Sequence, residues 1–172
     1  MSDDYLHRFT DDMTLAEARD LLRTLVTDGH TCPCCQQMAK VYRRRVNSGM
    51  ARELLAMYRT AGVGHWVHVR DVERSAGGGE VAKMRHWGLV QPMPARRDDG
   101  GHAGYWRVTP HGEAWLSGQC RIPKYALLYN SRLLRLDDTQ TVTISDALGE
   151  PFDLRDLMAR HSTDTGQAVL PL

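Results

Sequence analysis

The chain has 172 residues, 42% of them apolar, with a mean hydropathy of −0.45 and a formal net charge of +1. That is enough for one compact domain with an appendage. No apolar run approaches the roughly 18 residues of a membrane span, and the Asp-rich start (Ser2, Asp3, Asp4) lacks the form of a signal peptide, so a soluble, cytoplasmic protein with no membrane partner is expected.

The near-zero total hides a separation of charge. Residues 1–37 carry three Arg against seven acids, residues 38–135 seventeen basic against seven acidic, and residues 136–172 two against seven. A basic middle therefore lies between acidic ends, a distribution that either attracts phosphate or simply solvates a charged face.

Residues 1–13 are expected to be flexible, with Tyr5, Leu6 and Phe9 packing locally. Thr14 and Glu17 have capping-box spacing, and Leu15, Ala18, Leu22, Leu25 and Val26 recur at helical intervals until Gly29, which supplies a C-terminal stop. After Cys32-Pro33-Cys34-Cys35, the residues Met38, Val41, Tyr42 and Val46 fall on one side of a helical wheel and Lys40, Arg43 and Arg44 on another. This predicts a second, short and basic helix, and with it a helical cysteine module over 14–46.

Cys32 and Cys35 have the C-x-x-C spacing that lets two thiolates bind one tetrahedral Zn²⁺. A full site needs two more ligands. Cys34, His30 and the distant Cys120 are candidates, with His86 and His102 further away, but no second C-x-x-C exists. The same thiols suit two other readings. A CPxC at a helix start resembles a thioredoxin-type active site, although the expected βαβ context is missing. Otherwise the cysteines pack as small reduced apolar groups.

Ser48 is placed to cap a helix whose buried side is Met50, Leu54, Met57, Tyr58 and Ala61, ended by Gly62 and Gly64. Trp66, Val67 and Val69 predict a short strand, Asp71 to Ser75 a short helix, and Gly77-Gly78-Gly79 a turn. In the following helix, Glu80 to Trp87, Val81 and Met84 share the inward side. Ala82, Lys83 and His86 fall opposite, with Arg85 on the flank. Leu89-Val90 begins a strand limited by Pro92 and Pro94. A charged tip, Arg96-Arg97-Asp98-Asp99-Gly100-Gly101, leads to a return strand on which Trp106 and Val108 alternate with Tyr105 and Arg107. Thr109-Pro110-His111-Gly112 opens the helix that bears Trp115 and Leu116.

Two apparent motifs carry less than they suggest. His65 and His68 would face opposite sides of a strand, so they make no metal pair. Gly77-Gly78-Gly79 lacks the Gly-Lys and Ser/Thr of a phosphate loop. Trp66, Trp87, Trp106 and Trp115 read as core packing rather than base stacking. No Ser/His/Asp set or paired-carboxylate motif is recognisable, which disfavours an enzyme. Beyond Gly118 strands are predicted over Tyr125–Tyr129, Leu133–Leu136 and Val142–Ile144, with a turn at Asn130-Ser131. A last helix follows, capped by Asp153, with Phe152 placed against Leu157. These form a C-terminal extension over 119–161, and the tail from Ser162 to Leu172 is expected to be disordered.

The run Gly88-Leu89-Val90 followed by Tyr105-Trp106-Arg107-Val108-Thr109-Pro110-His111-Gly112 resembles the "GL(V/I) … Y-x-(L/V)-T-x-x-G" run of winged-helix transcription regulators of the MarR and PadR kind, over residues of about 48–118. The resemblance implies an α+β fold with a winged helix-turn-helix core over 47–118. It also implies a regulator of double-stranded DNA, in which Lys83, Arg85 and His86 meet bases and Arg96 and Arg97 the phosphate backbone. The segment Val69–Gly79 is shorter and richer in glycine than the second helix and turn of that family. On this reading Lys40, Arg43 and Arg44 form an electrostatic rail along the duplex. Winged helices also serve as protein-interaction modules, so a homodimer or another protein partner without DNA is the main alternative, and thiol-disulfide exchange a third.

Overall fold

The computed structural model describes residues 9–72, 79–94 and 104–157. It is a mixed α+β structure in two compact units. One comprises the chain up to Arg44 together with Leu127–Arg135, and the other Arg45–Ala126 with the chain from Leu136 onward. The expected flexibility at the very start, the tail from Ser162, the glycine turn at 77–78, the wing tip with Arg96 and Arg97, and His102 all lie outside the described residues.

In the first unit, helix α1 (Leu15–Leu25) begins at the predicted capping box. The Thr14 hydroxyl accepts the Glu17 N–H at 3.3 Å, and the Glu17 carboxylate accepts the Thr14 N–H at 2.9 Å, so two of the helix's orphan donors are satisfied reciprocally. Ala18, Leu22, Leu25 and Val26 are buried, whereas Leu15, expected on the same face, is 70% exposed. Gly29, at φ +88°, donates its N–H to the Leu25 carbonyl at 3.1 Å, the left-handed stop that glycine supplies without strain.

The second predicted helix does not form. Its place is taken by strands β1 (His30–Thr31), β2 (Met38–Ala39) and β3 (Tyr42–Arg45), with β1 and β2 antiparallel in the register His30↔Ala39 and Thr31↔Met38. The apolar side of that helical wheel is split, since Met38 is 56% and Tyr42 47% exposed whereas Val46 is buried. The backbone donors go instead to distant acceptors, Val41 N–H to the Val26 carbonyl at 2.8 Å and Val46 N–H to the Lys124 carbonyl at 3.0 Å. Non-local pairing outbids a weak helical periodicity here.

In the second unit, helix α2 (Ser48–Ala61) is capped by Asn47 and not by Ser48. The Asn47 side chain accepts the Met50 N–H at 2.9 Å. Met50, Ala51, Leu54, Ala56 and Met57 are buried, and Gly62 ends the helix with its N–H on the Tyr58 carbonyl at 2.8 Å. The strand predicted near Trp66 is β4 (Val67–His68). Asp71 and Val72 lie in a turn, and the rest of the helix predicted there falls outside the described residues. The helix predicted over Glu80–Trp87 is two short pieces, α3 (Val81–Met84) and a 3-10 turn (Arg85–Trp87), closed by Gly88 at φ +70°.

Strands β5 (Val90–Pro92) and β6 (Tyr105–Val108) pair antiparallel, and β4 joins the free side of β6 to give the order β4-β6-β5. The registers are Val67↔Trp106, His68↔Tyr105, Val90↔Val108 and Gln91↔Arg107. Val67, Val90, Trp106 and Val108 are buried on one face, as the alternation on the return strand predicts. Helix α4 (Pro110–Leu116) is capped by Thr109, whose hydroxyl accepts the Gly112 N–H at 3.0 Å, and carries the fully buried Trp115 and Leu116.

The predicted C-terminal strands are two longer ones, β7 (Ile122–Tyr129) and β8 (Arg132–Val142). They turn at Asn130 and Ser131, both at positive φ, and β3 completes the sheet in the order β3-β7-β8. The third strand predicted at Val142–Ile144 is absent. Val142 ends β8, and Thr143 opens helix α5 (Ile144–Leu148) through a capping box with Asp146. A following helical turn over residues 154–157 starts at Asp153, whose carboxylate accepts the Arg155 N–H at 2.7 Å. Helix α2 packs against α3, α4 and α5, and the core of this unit is Met50, Leu54, Met57, Met84, Leu89, Leu116, Ile144 and Trp115.

Candidate nucleic-acid interface

The α3 segment is too short to hold itself in place by its own hydrogen bonds. Three side chains anchor it inward: Val81, Met84 and Trp87 are buried, and the Trp87 indole N–H donates to the Pro123 carbonyl at 2.7 Å. From α2, Glu53 reaches the start of the segment. It is 2% exposed, and its carboxylate meets the backbone N–H groups of Glu80 and Val81, while Oε2 has no partner among the described residues. Burial, with the Glu80 charge beside it, pushes the Glu53 carboxyl above its ordinary range against the pull of those N–H groups and of Lys83.

The outer side of α3 carries the predicted base-contacting residues. Ala82 and Arg85 are exposed; Lys83 and His86 are half-buried. Lys83 is tied to Glu80 by a 2.7 Å ion pair, which leaves Arg85 as the cation on this surface without an acidic partner among the described residues. Burial and the adjacent Arg85 push the His86 imidazole below its usual range, so near neutrality it keeps one N–H donor and one ring-nitrogen acceptor. The predicted phosphate-contacting residues Arg96 and Arg97 lie outside the described residues. Lys40, Arg43 and Arg44 belong to the first unit and are all exposed, with the Arg44 guanidinium 5.7 Å from the Tyr42 ring centre.

The outward face of the β4-β6-β5 sheet gathers Tyr105 and Arg107 with Trp66 and His68. The Arg107 guanidinium lies 4.6 Å from the Trp66 ring centre and donates from Nε and NH2 to Gln91 Oε1 at 3.1 and 2.8 Å. His68 meets Tyr105 edge-on with centroids 4.9 Å apart. His65 is off the strand, its Nδ1 3.0 Å from the Val63 carbonyl oxygen, so the two histidines make no pair. Trp66 gave a signal that could have been followed, an aromatic that alternates out of register with the buried Val67.

The CPxC segment is a hairpin loop and not a helix start, which removes the helix dipole from the redox argument. Between β1 and β2, Cys32 donates its N–H to the Gln37 carbonyl at 2.8 Å and accepts the Gln36 N–H on its own carbonyl at 2.9 Å. The Cys32 thiol is lowered by the backbone N–H groups of Cys35 and Cys34 pointing at its sulfur. That arrangement is a knuckle suited to a metal thiolate. Among the described residues no group of three His, Cys, Asp or Glu side chains is arranged to hold a metal ion. His30 instead faces Phe9, with ring centroids 5.3 Å apart, and its Nδ1 sits 3.0 Å from the Thr31 carbonyl oxygen. Of the expected zinc set, Cys32, Cys34 and Cys35 share this loop, with the Cys34 and Cys35 side chains beside the Cys32 sulfur, and His30 faces Phe9. Cys120 lies 4.0 Å from His111 Nδ1, but burial raises its thiol, the opposite of what a nucleophile needs.

No helix among the described residues is long and apolar enough to cross a membrane. The chain matches no protein-family model, and neither curated proteins nor solved structures match it.

Proposed function

We propose that the second unit is a winged-helix unit that binds double-stranded DNA and regulates by occupancy. The observation that carries this reading is the two-sidedness of the α3 segment. Val81, Met84 and Trp87 fix one side into the core, and Lys83, Arg85 and His86 stand on the other, within the part of the chain that holds most of its positive charge. Strands β5 and β6 follow in the order expected of a wing, and Arg96 and Arg97, between them in the sequence, serve the phosphates on this reading. Neutralising phosphates releases counterions, so affinity should fall steeply with salt.

Fluorescence anisotropy with random and genomic duplexes tests this directly. Salt-sensitive binding that weakens about tenfold or more in the Lys83→Ala, Arg85→Ala double variant supports it. An absence of binding at low salt, or a double variant that binds like the parent, sinks it.

A protein partner, a second copy of the chain included, is the other reading, and the first unit favours it. Leu133 and Leu134 are 41% and 55% exposed near the β7-β8 turn, and Leu15, Met38 and Tyr42 add to the apolar surface of that unit. A stoichiometric partner, or a dimer by light scattering, together with no salt-sensitive DNA binding, would favour this reading over the first.

A further inference from the structure

The outward face of the β4-β6-β5 sheet is built, and what it offers is planar. Tyr105 is 41% exposed, and Trp66, His68 and Arg107 are half-buried around it. Each is held by a neighbour. Arg107 lies over Trp66 and is bonded twice to Gln91 Oε1, which fixes the plane of its guanidinium. The Arg70 backbone N–H donates to His68 Nδ1 at 3.1 Å, so in the neutral imidazole the proton sits on Nε2. Gly104, at φ +74°, makes room for that ring, since a Cβ there would stand 2.6 Å from His68 Nε2. The strands themselves carry no acidic residue, and the charge held against an aromatic ring is that of Arg107; Arg70 and Asp71 follow β4 in the chain.

We propose that this face receives unpaired DNA bases, so that the DNA bound by the second unit includes a single-stranded or splayed segment next to the duplex. This rests on the DNA-binding reading above and narrows its substrate. A base stacks on Tyr105, whose ring is sequence-tolerant because every base has a π-face. The fixed Arg107 plane offers a second stacking surface, and its charge meets the adjoining phosphate. An apolar protein partner would leave the Arg107 charge and the His68 Nε2–H without compensation, whereas a nucleotide strand satisfies stacking, hydrogen bonding and charge together.

Anisotropy of the full chain with three DNAs tests the proposal: a blunt duplex, the same duplex with an oligo-deoxythymidine overhang, and oligo-deoxythymidine alone. The overhang should tighten binding about tenfold, the size expected for one or two stacked bases. Tyr105→Ala should abolish that gain and Tyr105→Phe should keep it. Lys83→Ala with Arg85→Ala should weaken the blunt duplex yet leave the response to the overhang. If Tyr105→Ala fails to fold by circular dichroism, the unaltered chain still decides, because ultraviolet crosslinking of a bromodeoxyuridine overhang should land on Trp66 or Tyr105. An overhang that adds nothing to a duplex that binds overturns this inference alone, as do crosslinks found only elsewhere. Binding to none of the three DNAs overturns both readings.

Discussion

The Trp87 indole N–H donates to the Pro123 carbonyl at 2.7 Å, joining the end of the α3 segment to the second residue of β7. A segment of one α-turn and one 3-10 turn has little cooperativity of its own, so this bond, with the buried ring around it, sets where Arg85 and His86 point. Trp87→Phe keeps most of the ring and leaves the carbonyl without its donor. Urea denaturation should show a loss of about 1–3 kcal/mol, and duplex affinity should fall with it; unchanged stability would mean that the carbonyl finds water at no cost.

Gly112 sits where α4 crosses the start of β5. Its backbone is helical, so conformational freedom is not the reason for glycine. A Cβ there would lie 2.3 Å from the Leu89 carbonyl oxygen, which already accepts from the Thr109 N–H at 3.1 Å. Helix propensity alone favours alanine by about 1 kcal/mol, whereas forcing two backbones apart costs about 1–3 kcal/mol. Gly112→Ala should therefore lower the denaturation midpoint, and a raised midpoint would show that the contact yields easily.

At the start of α2 two adjacent residues compete for one role. Asn47 holds the Met50 N–H at 2.9 Å. Asn47→Ala should cost about 1 kcal/mol, with Ser48→Ala within about 0.5 kcal/mol of the parent. Thermal melts of the two variants check the order, and the reverse order would return the cap to Ser48.

Glu53 gives the protein a pH dependence of definite sign. Its folded carboxyl is raised above its ordinary value by burial first, so the folded state binds that proton more tightly than the unfolded chain does. The contribution of this group to stability is greatest below the ordinary carboxyl range and declines as pH rises through the raised folded value. Glu53→Gln, which imitates the protonated form, should melt above the parent at neutral pH. The gap should close as the pH falls toward the ordinary glutamate range, and a gap that widens on acidification would contradict the assignment.

What could be read from the chain was the local chemistry. The Thr14–Glu17 box, the alternation of Trp106 and Val108 with Tyr105 and Arg107, the Thr109 start of α4 and the Asp153 cap all depend on residues within four positions of one another. The cysteine hairpin could not be read this way, because Val41 and Val46 give their N–H groups to Val26 and Lys124. Helix α5 was hidden for a different reason: Thr143 and Asp146 have capping-box spacing, but the alternating run before them reads as strand. At the candidate interface the outer face of α3 was legible from helical angles. The carboxylate beneath it was not, since a glutamate among apolar positions of α2 looks like an interruption until α3 is folded against it. His68 and Trp66 were discounted for sound local reasons, and only the pairing of β4 with β6 brings them beside Tyr105 and Arg107.

Each unit is assembled from separated stretches of chain, with Leu127–Arg135 completing the first and the residues from Leu136 onward completing the second. During synthesis the amino-terminal stretch must therefore wait for the β7-β8 turn to emerge, by which time Arg45–Ala126 has already been made. The first unit can close only after Arg45–Ala126 has been made, although before the residues from Leu136 onward complete the second. It is begun first and closed late, and cuts that separate α1 and the cysteine loop from the β7-β8 turn leave it incomplete.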